Sequence, residues 1–467
     1  MQFRRGRGDA ARVPKLHSPA AAALSTLARP WRCRGRRSTS FSHSDAGAMK
    51  KAALVLAVFF AAAPLAAQPS LEGRTIRDVR VSGLDHIKES VVRAQLVSAP
   101  GQPYHKATAD RDVVRLDRLG VFGSIAVTAV EFDDGVRVDV ELTETPRIIP
   151  AVAVAVSDEN GFSAGPAVKI TSVAGQPIDL SFTTRFGGET LGQFRETSQP
   201  FTNRRLWHSA SLSLNDYFNK LDQFQQRSVD LDARIGGRTS EEWRSGAILK
   251  YYNVGSDLSG VTLSPDNQDA FTSIGGVTEY DNRDSFREPA RGWYASIDAL
   301  WTTGSGQYAT VNVDARRYQP IAARQTILAT TLLTLQSGVD GVDLPTYADY
   351  ALGGENTVRG QSFGTRRGKN QFLSSIEYRY AVVPTRSFRV FGLNLYGGLT
   401  VAAFTDVGSA WSDPDSFADS FIGGGGIGLR LYLPYVNMIR LDLSIGDGAH
   451  FGLGINEKAV AQRNRVR

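Results

Sequence analysis

Segments of alternating polar and apolar residues fill the chain beyond Pro146, and no other feature restricts its fold as strongly. The spacing typical of helices ends there, and about sixteen strand candidates of roughly ten residues follow, the length of tilted strands that cross a membrane. In residues 308–316, one face carries Thr, Asn, Asp and Arg, whereas the other carries only Ala and Val. One face of such a strand is suited to water and the other to hydrocarbon. The candidates include Ile148–Val156, Trp207–Tyr217, Arg227–Gly237, Trp243–Val254, Phe271–Tyr280, Gly292–Trp301, Tyr308–Tyr318, Thr326–Gln336, Phe372–Ala381, Tyr396–Phe404, Ile422–Leu433, Ile439–Gly446 and His450–Ile455.

Residues 49–67 have the pattern of a secretory signal peptide. Met49 is followed by two lysines, an apolar run over residues 52–65 and small residues that end at Ala67, where we expect cleavage. The run is shorter than the about 20 apolar residues of a membrane-spanning helix, so an anchor is disfavoured. Residues 1–48 are predicted to be a non-native or disordered leader, with an organelle transit peptide as the alternative interpretation.

The positive charge of the chain lies in this leader. Residues 1–48 hold ten of the 53 Lys and Arg residues but only two of the 47 Asp and Glu residues. The rest is slightly acidic and has no basic patch that would indicate nucleic acid binding. The only cysteine, Cys33, lies in the leader too, so the rest can form neither a disulfide nor a thiolate metal site.

Catalytic and metal-binding patterns are missing from the sequence. The histidines are scattered, and Asp281, Asp284 and Glu288 lack the spacing of a calcium loop. Residues 423–428 fit a nucleotide-binding glycine pattern, but they lie inside a predicted strand with no helix after it. Small residues there would instead let a loop approach the barrel wall. We therefore expect no enzymatic activity, no cofactor and no bound metal.

Two folds produce the alternation over residues 148–456. A soluble β-sandwich gives the same pattern, but so many strands would need two or more domains, and no linker divides them. An even strand count, the signal peptide and aromatic residues near strand ends favour a membrane barrel. We therefore predict an all-β membrane protein with a 16-stranded transmembrane barrel over residues 148–456. The aromatic residues expected at the lipid interfaces are Trp207, Trp243, Tyr251, Trp293, Trp301 and Trp411.

Residues 71–146 mix strand and helix spacings and are predicted to form a small α+β domain. A sheet of three strands has at least one edge with unpaired backbone groups, to which an extended peptide can add as a further strand. A simple spacer domain is the alternative. The predicted order is a strand over Ile76–Val81, a helix carrying Ile87, Val91, Val92 and Leu96, a second helix capped by Thr108 or Asp110 and ended by Gly120, and strands over Ile125–Phe132 and Val136–Leu142.

One loop between two predicted barrel strands is too long for a hairpin turn of about two to five residues. Residues 353–368 contain five glycines and three arginines, so the loop can fold back on itself and carry Arg359 to an acidic partner. A solvated surface loop is the alternative reading. Two carboxylates could pair with Arg359. Glu377 is opposite Ile376 and Tyr378 and so on the lumen side, and Asp406 shares a strand face with Phe404.

These motifs, taken together, resemble the BamA/TamA-like superfamily of outer-membrane assembly and translocation proteins. The resemblance rests on Val358-Arg359-Gly360, on Glu377 in residues 374–378 and on Phe404, Asp406 and Gly408. Residues 280–284 and 426–431, and Arg440 with Asp442, resemble further signatures of that barrel, and the small domain resembles a polypeptide-transport-associated (POTRA) domain. The resemblance implies that the loop lies in the lumen, with Arg359 bound to Glu377 and Asp406 and braced by Phe404. Gln361 departs from the pattern, because the family often has an aromatic residue there.

The resemblance also implies a function and a location. The protein is expected in the bacterial outer membrane, in contact with the lipid bilayer, with unfolded client polypeptides and with periplasmic assembly partners. A seam between the first strand (Ile148, Val156) and the last (Phe451, Gly452, Gly454) would open laterally, because glycines weaken a strand. Two alternatives are a dedicated pore for two-partner secretion and a passive diffusion channel. A polar tail, residues 457–467, follows the last strand.

Overall fold

A computed structural model of the protein describes residues 71–157, 159–198, 206–285, 288–390, 393–433 and 437–455. The predicted leader (residues 1–48), the predicted signal peptide (residues 49–67) and the polar tail (residues 457–467) lie outside the described residues. No helix in the described part is long and apolar enough to cross a membrane.

The N-terminal part of the described chain is a small α+β unit. Its apolar core joins the inner faces of the helices to the sheet, with Val92, Leu116 and Val138 among its fully buried residues. The sheet order is β1-β3-β2, with β1 parallel to β3, so β1 and β2 are its two edges. The predicted order of elements is confirmed. These are β1 (Ile76–Ser82), α1 (Glu89–Arg93), α2 (Lys106–Asp117), β2 (Phe122–Phe132) and β3 (Gly135–Glu144).

The predicted start of the second helix is wrong, whereas Gly120, with a φ of 69°, lies just beyond its last turn as predicted. Helix α2 begins at Lys106, and neither Thr108 nor Asp110 is at its cap position, which His105 occupies without a side-chain hydrogen bond. The backbone N–H of Lys106 instead donates to the carboxylate of Glu72, at 3.1 Å. A distant side chain therefore satisfies a free N–H of the first turn, which local spacing does not reveal.

The rest of the chain forms one sheet of sixteen antiparallel strands that curls into a barrel, and the predicted fold class is confirmed. The strands are β4 (Ile148–Ser157), β5 (Gly161–Ile170), β6 (Ile178–Gly187), β7 (Glu189–Ser198), β8 (Leu206–Asn219), β9 (Phe224–Arg238), β10 (Trp243–Ser256), β11 (Gln268–Asp281), β12 (Gly292–Gly304), β13 (Tyr308–Ala322), β14 (Gln325–Gln336), β17 (Asn370–Val390), β18 (Leu393–Trp411), β19 (Ile422–Leu433), β20 (Asn437–Ile445) and β21 (Ala449–Ile455). Two short strands, β15 (Tyr350–Leu352) and β16 (Arg366–Gly368), pair with each other in the connection between β14 and β17.

The barrel places polar side chains inside and apolar side chains outside, the reverse of a soluble protein. Asn312, Asp314 and Arg316 of β13 are buried in the lumen, as the alternation predicted. Two of the six aromatic residues expected at the lipid interfaces are instead buried. Trp207 packs on Ile248, Val277 and Leu300, and Trp411 lies edge-on against Phe417, with ring centroids 4.6 Å apart. The other four are exposed.

The strand order fixes the side of the membrane on which each connection lies. The α+β unit precedes the first barrel strand, so connections that follow odd-numbered barrel strands lie on the opposite side from it. The connection between β14 and β17, residues 337–369, follows the eleventh barrel strand. We call it the lumen loop; it begins and ends on the far side from the α+β unit, as do the connections at residues 220–223 and 446–448.

Candidate functional site

The lumen loop folds back into the barrel. Its β15–β16 hairpin and four glycines with positive φ (Gly353, Gly354, Gly360 and Gly364) reverse the chain direction several times. Val358 is fully buried and packs in an apolar cluster with Leu332 and Leu373 of the barrel wall and Leu352 of the loop. The loop therefore fills part of the lumen and is not a solvated surface loop.

Arg359 is buried at the centre of this packing, with no exposed side-chain surface. Its Nε and Nη2 atoms donate to the two carboxylate oxygens of Asp406, at 2.7 and 2.9 Å, and its backbone N–H donates to the same carboxylate, at 3.1 Å. A paired, parallel contact of this kind is specific for the planar guanidinium group. Asp406 is on β18 and also accepts a hydrogen bond from Ser375 of β17, at 2.6 Å.

The remaining guanidinium nitrogen of Arg359 contacts two other strands. Nη1 donates to Glu377 on β17, at 3.2 Å, and to Asp442 on β20, at 3.1 Å. The guanidinium carbon lies 3.4 Å from the centroid of the Phe404 ring, a stacked cation–π contact. The structure thus brings Arg359, Glu377, Phe404 and Asp406 together, as the sequence analysis expected, and adds Asp442. We call these five residues the Arg359 site.

A set of further charges surrounds this site, and the sequence analysis did not identify it. Arg430 of β19 donates to Glu377, at 2.7 and 3.0 Å, and to Asp442, at 2.5 Å. Arg379 donates to Glu377, at 2.8 Å. Arg440 of β20 donates to Glu355 of the lumen loop, at 3.0 Å. With Arg359 and Asp406, four guanidinium groups thus face four carboxyl groups of the loop and of β17 to β20. Residues 426–431, Arg440 and Asp442 had been recognised as family signatures, but nothing in the sequence indicated which of these charges would meet.

Glycines give the loop room at the barrel wall. A Cβ atom at Gly424 of β19 would overlap the carbonyl oxygen of Arg359, whereas one at neighbouring Gly423 would make an ordinary contact at 3.4 Å. Gly360 has a φ of 87° and lies against the backbone of Ile445. The prediction that small residues in β19 allow close approach is therefore confirmed. Gln361 stands where the family often has an aromatic residue. Its side-chain N–H donates to the carbonyl of Gly423, at 2.7 Å.

The connection between β20 and β21 is hydrogen-bonded to the lumen loop at the end of the barrel that is far from the α+β unit. The backbone N–H of Asp447 donates to the carbonyl of Gly360, at 2.9 Å, and the N–H of Ser362 donates to the Asp447 carboxylate, at 2.8 Å. His450 lies 2.7 Å from the other carboxylate oxygen. The hydrogen bonds from Ser362, followed by that from His450, lower the pKa of Asp447 to about 2.

The two ends of the sixteen-stranded sheet, β4 and β21, lie side by side as a seam. Hydrogen-bonded ladders join all the other neighbouring barrel strands, whereas no ladder joins β4 to β21 within the described residues. Ile148 and Phe451 are exposed on the outer surface, at 61% and 69%, and Val156 is half-buried near the end of β4. Gly452 and Gly454 face the lumen, where the side chains of Glu355 and Arg440 lie against them.

The α+β unit contacts the barrel through basic residues of α2. Arg115 forms an ion pair with Glu241, in the connection between β9 and β10, and Arg111 is 3.4 Å from the same carboxylate. Arg118 donates to the carbonyl oxygens of Asp281 and Arg283, at 3.3 and 3.4 Å. The unit is thus held at the end of the barrel that lies opposite the entry of the lumen loop.

No group of three or more His, Cys, Asp or Glu side chains within the described ranges is arranged to hold a metal ion. Asp281, one of the acidic residues considered for calcium, pairs with Arg283, at 2.8 Å.

Solved structures of outer-membrane proteins share this fold. BamA from Haemophilus ducreyi lacking POTRA domains 1–3 is 17% identical, with a TM-score of 0.53 over 82% of this chain and 83% of that chain. CdiB from Escherichia coli is 13% identical, with a TM-score of 0.54 over 82% of this chain and 75% of that one. CdiB from Acinetobacter baumannii is 14% identical, with a TM-score of 0.52 over 82% and 74%.

Sequence families match both parts of the chain. The POTRA family, described as a surface antigen variable number repeat, matches residues 74–145. The Omp85 superfamily domain matches residues 173–456, more than half of the chain. This family, its POTRA domain and the barrel fold together support a role in inserting polypeptides into the outer membrane or moving them across it. The chain belongs to the Omp85 superfamily and is a bacterial outer-membrane β-barrel protein with its POTRA domain in the periplasm.

Proposed function

We propose that this protein inserts unfolded client polypeptides into the outer membrane through the seam between β4 and β21. The observation that carries the proposal is the missing ladder at this one junction of the described barrel. A strand edge with free N–H and C=O groups is a template for a further strand. Within the described residues, separating β4 from β21 breaks no ladder hydrogen bonds, whereas opening any of the other barrel junctions would break an existing ladder.

Delivery of the client begins at the POTRA sheet. Strands β1 and β2 are its edges, and an extended client can add as a strand along β2 beyond its first two residues. The contacts of Arg115 and Arg118 with the barrel turns hold this sheet near the periplasmic end of the barrel. A client bound at the edge is therefore close to the end of the barrel from which β4 starts.

The Arg359 site holds the barrel in its closed state. The side chains of Arg359, Asp406 and Asp442 are fully buried, so removing one partner leaves an uncompensated charge in a dry environment. Release of the lumen loop accompanies opening of the seam in this proposal. A lumen occupied by a packed loop and paired charges also disfavours a passive diffusion channel.

Site-specific photo-crosslinking tests the route of the client. Photoreactive residues are placed at Val152 of β4 and Phe451 of β21, which are 70% and 69% exposed, and at Ile274 of β11 on the opposite wall, which is 59% exposed. Purified protein in liposomes is then given a urea-unfolded outer-membrane barrel precursor. Lateral insertion predicts client crosslinks at the two seam positions and not at Ile274.

A position inside the lumen separates insertion from secretion. Asn312 of β13 is buried in the lumen, at 5% exposure. Client crosslinks at Asn312 without crosslinks at Val152 or Phe451 would overturn the proposal and favour a dedicated secretion pore. In cells, unchanged levels of other outer-membrane barrel proteins after depletion of this protein would refute a general insertase role.

A further inference from the structure

Two glycines in the last strand have lumen neighbours that leave no space for a side chain. A Cβ atom at Gly452 would overlap the carboxylate of Glu355, and one at Gly454 would overlap the guanidinium group of Arg440. Glu355 belongs to the lumen loop and Arg440 to β20, and both are buried. These glycines therefore do more than weaken β21, because they admit side chains from the loop and from the neighbouring strand.

Arg440 connects the loop, the seam strand and the Arg359 site. Its Nη1 donates to Glu355 Oε1, at 3.0 Å, and its Nη2 donates to the side-chain oxygen of Asn356, at 2.9 Å. Nη1 is also 3.5 Å from Asp442, which accepts from Arg359 at 3.1 Å. Among the bonds between the lumen loop and the barrel, the one that Glu355 and Asn356 make with Arg440 lies beside β21.

β21 has few other contacts that define its position. It pairs with β20 over seven residues, has no ladder on the β4 side within the described residues and carries no side chain at Gly452 or Gly454. Side chains pressed against its lumen face therefore limit how far it can tilt inward or slide along β20. The two groups that press there are the Glu355 carboxylate and the Arg440 guanidinium.

We propose that Glu355 and Arg440 are positioning residues that couple the lumen loop to the seam, so that a loop in its buried place holds β21 in its closed position. When Glu355 leaves with the loop, the space beside Gly452 empties and β21 is free to move away from β4. The inference rests on the proposed function for its purpose, but the coupling itself is a property of the protein without a client.

Spin-label distances across the seam test the coupling directly. Labels are attached to cysteines at Val152 and Phe451 in full-length protein with Cys33→Ser, reconstituted in liposomes, and their distance distribution is measured by pulsed electron resonance. A second labelled pair at Ile274 and Trp301, which are opposite each other in the β11–β12 ladder, reports on the far wall. No client is added.

Glu355→Ala is the principal variant, because it removes the whole carboxyl group that accepts from Arg440 and lies against Gly452. A hydrogen bond donated by a charged group contributes enough that its loss should raise the ratio of open to closed seam about tenfold or more. The far-wall distance should not change. Asp314→Ala is the matched control, since it removes the buried carboxyl group that pairs with Arg316 of β13 while leaving the seam distance unchanged.

Gly452→Ala adds the missing Cβ atom and should displace the Glu355 carboxylate, which also widens the seam distribution. Gly192→Ala is its control, because a Cβ atom there meets nothing within 4 Å. The double variant Gly452→Ala with Glu355→Ala removes the clash, so its seam should resemble that of Glu355→Ala alone.

The outcomes separate this inference from the proposed function. Unchanged seam distances in Glu355→Ala would overturn the coupling, and this result does not depend on whether Gly452→Ala folds. Equal widening in Asp314→Ala would also overturn it, because the effect would then be a general loss of stability. A widened seam in Glu355→Ala together with no client crosslinks at the seam would support the coupling and remove the proposed insertion route.

Discussion

Arg359 and Asp406 meet inside the barrel through two parallel hydrogen bonds of 2.7 and 2.9 Å, although 47 residues separate them in the chain. One group comes from a loop that enters from the extracellular side and the other from a membrane strand. Both side chains are completely buried. The contact therefore fixes the loop to the wall at a depth where solvent does not screen the charges.

Replacing Arg359 by alanine should strongly destabilise the barrel. Asp406, Glu377 and Asp442 would lose a buried cation, a loss of about 3–5 kcal/mol in the free energy of unfolding. Arg359→Lys should not restore the loss, because an ammonium group cannot make the paired contact. Urea unfolding in detergent, followed by heat-modifiable gel migration, measures both variants. Arg227→Ala is the control: its side chain is 73% exposed beside Asp216, so it should cost about 0–1 kcal/mol. Equal losses at the two positions would contradict the buried site.

Adjacent glycines of β19 offer a matched pair of variants. Gly424→Ala places a methyl group against the carbonyl oxygen of Arg359, whereas Gly423→Ala makes an ordinary contact at 3.4 Å. Overpacking of this kind costs about 1–3 kcal/mol, so Gly424→Ala should expel the loop and Gly423→Ala should not. Labelling by a membrane-impermeant maleimide of a cysteine introduced at Val358, which is fully buried while the loop is in place, reports release of the loop. Equal labelling rates in the two variants would show that the loop does not pack on Gly424.

The hydrogen bond between Ser362 of the lumen loop and the Asp447 carboxylate should persist in acid until the pH is very low. The pKa of Asp447 is lowered to about 2 in the folded protein, below the ordinary value of 3.8. A lowered carboxyl pKa adds stability that is present above pH 3.8 and is lost as the pH falls through about 2. The amide chemical shift of Ser362 should therefore titrate near pH 2 and become pH-independent in Asp447→Asn. A midpoint near 3.8 would mean that the Ser362–Asp447 bond does not form.

Charge reversal should release the POTRA domain from the barrel turns. Arg115→Glu or Glu241→Arg places like charges together, and the double reversal restores an opposite pair. Both side chains retain some solvent exposure, so each single change should shift docking only a few-fold and less at high salt. Distances between a spin label on the POTRA domain and one on the barrel measure the docked fraction. Arg77→Glu, which breaks an ion pair with Asp134 within the POTRA domain, should leave docking unchanged. The double reversal should restore docking only in part, because Arg111 also lies 3.4 Å from the Glu241 carboxylate and would then face a cation. Docking no stronger in the double variant than in the single variants would mean that Glu241 is not the docking partner.

The fold could be predicted from the sequence because the two-residue alternation of a β-strand is a local feature of the chain. Alternation over about ten residues identifies a membrane strand and its lumen face without any knowledge of its neighbours. This is why Glu377 and the polar face of β13 were placed correctly. The start of α2 was not, because Glu72, 34 residues away, accepts the hydrogen bond from its first N–H group. Trp207 and Trp411 were misplaced because nearness to a strand end does not decide which face a side chain is on.

The pairing of the acidic and basic groups around Arg359 could not be predicted from the sequence. Lumen-facing polar residues are found on almost every strand, and any of them could meet a loop that enters the barrel. Only the curvature and register of β17 to β21 select Asp442 and Arg430, and only the path of the loop brings Glu355 to Gly452. Strand alternation and the resemblance to a known family both indicated Glu377 and Asp406. The resemblance also included Arg440, but no local pattern showed that its partner would be Glu355.

A reversible covalent bond between the loop and the wall tests the central claim most directly. A Cβ atom at Gly408 of β18 would lie 2.8 Å from a methyl group of Val358, so cysteines at these positions are close enough for a disulfide, with Cys33→Ser in the background. The measurement is the rate at which a urea-unfolded barrel precursor inserts into liposomes that contain this variant, oxidised and then reduced. Holding the loop in the lumen should stop insertion, and reduction should restore it. Equal rates in the two states would contradict the account.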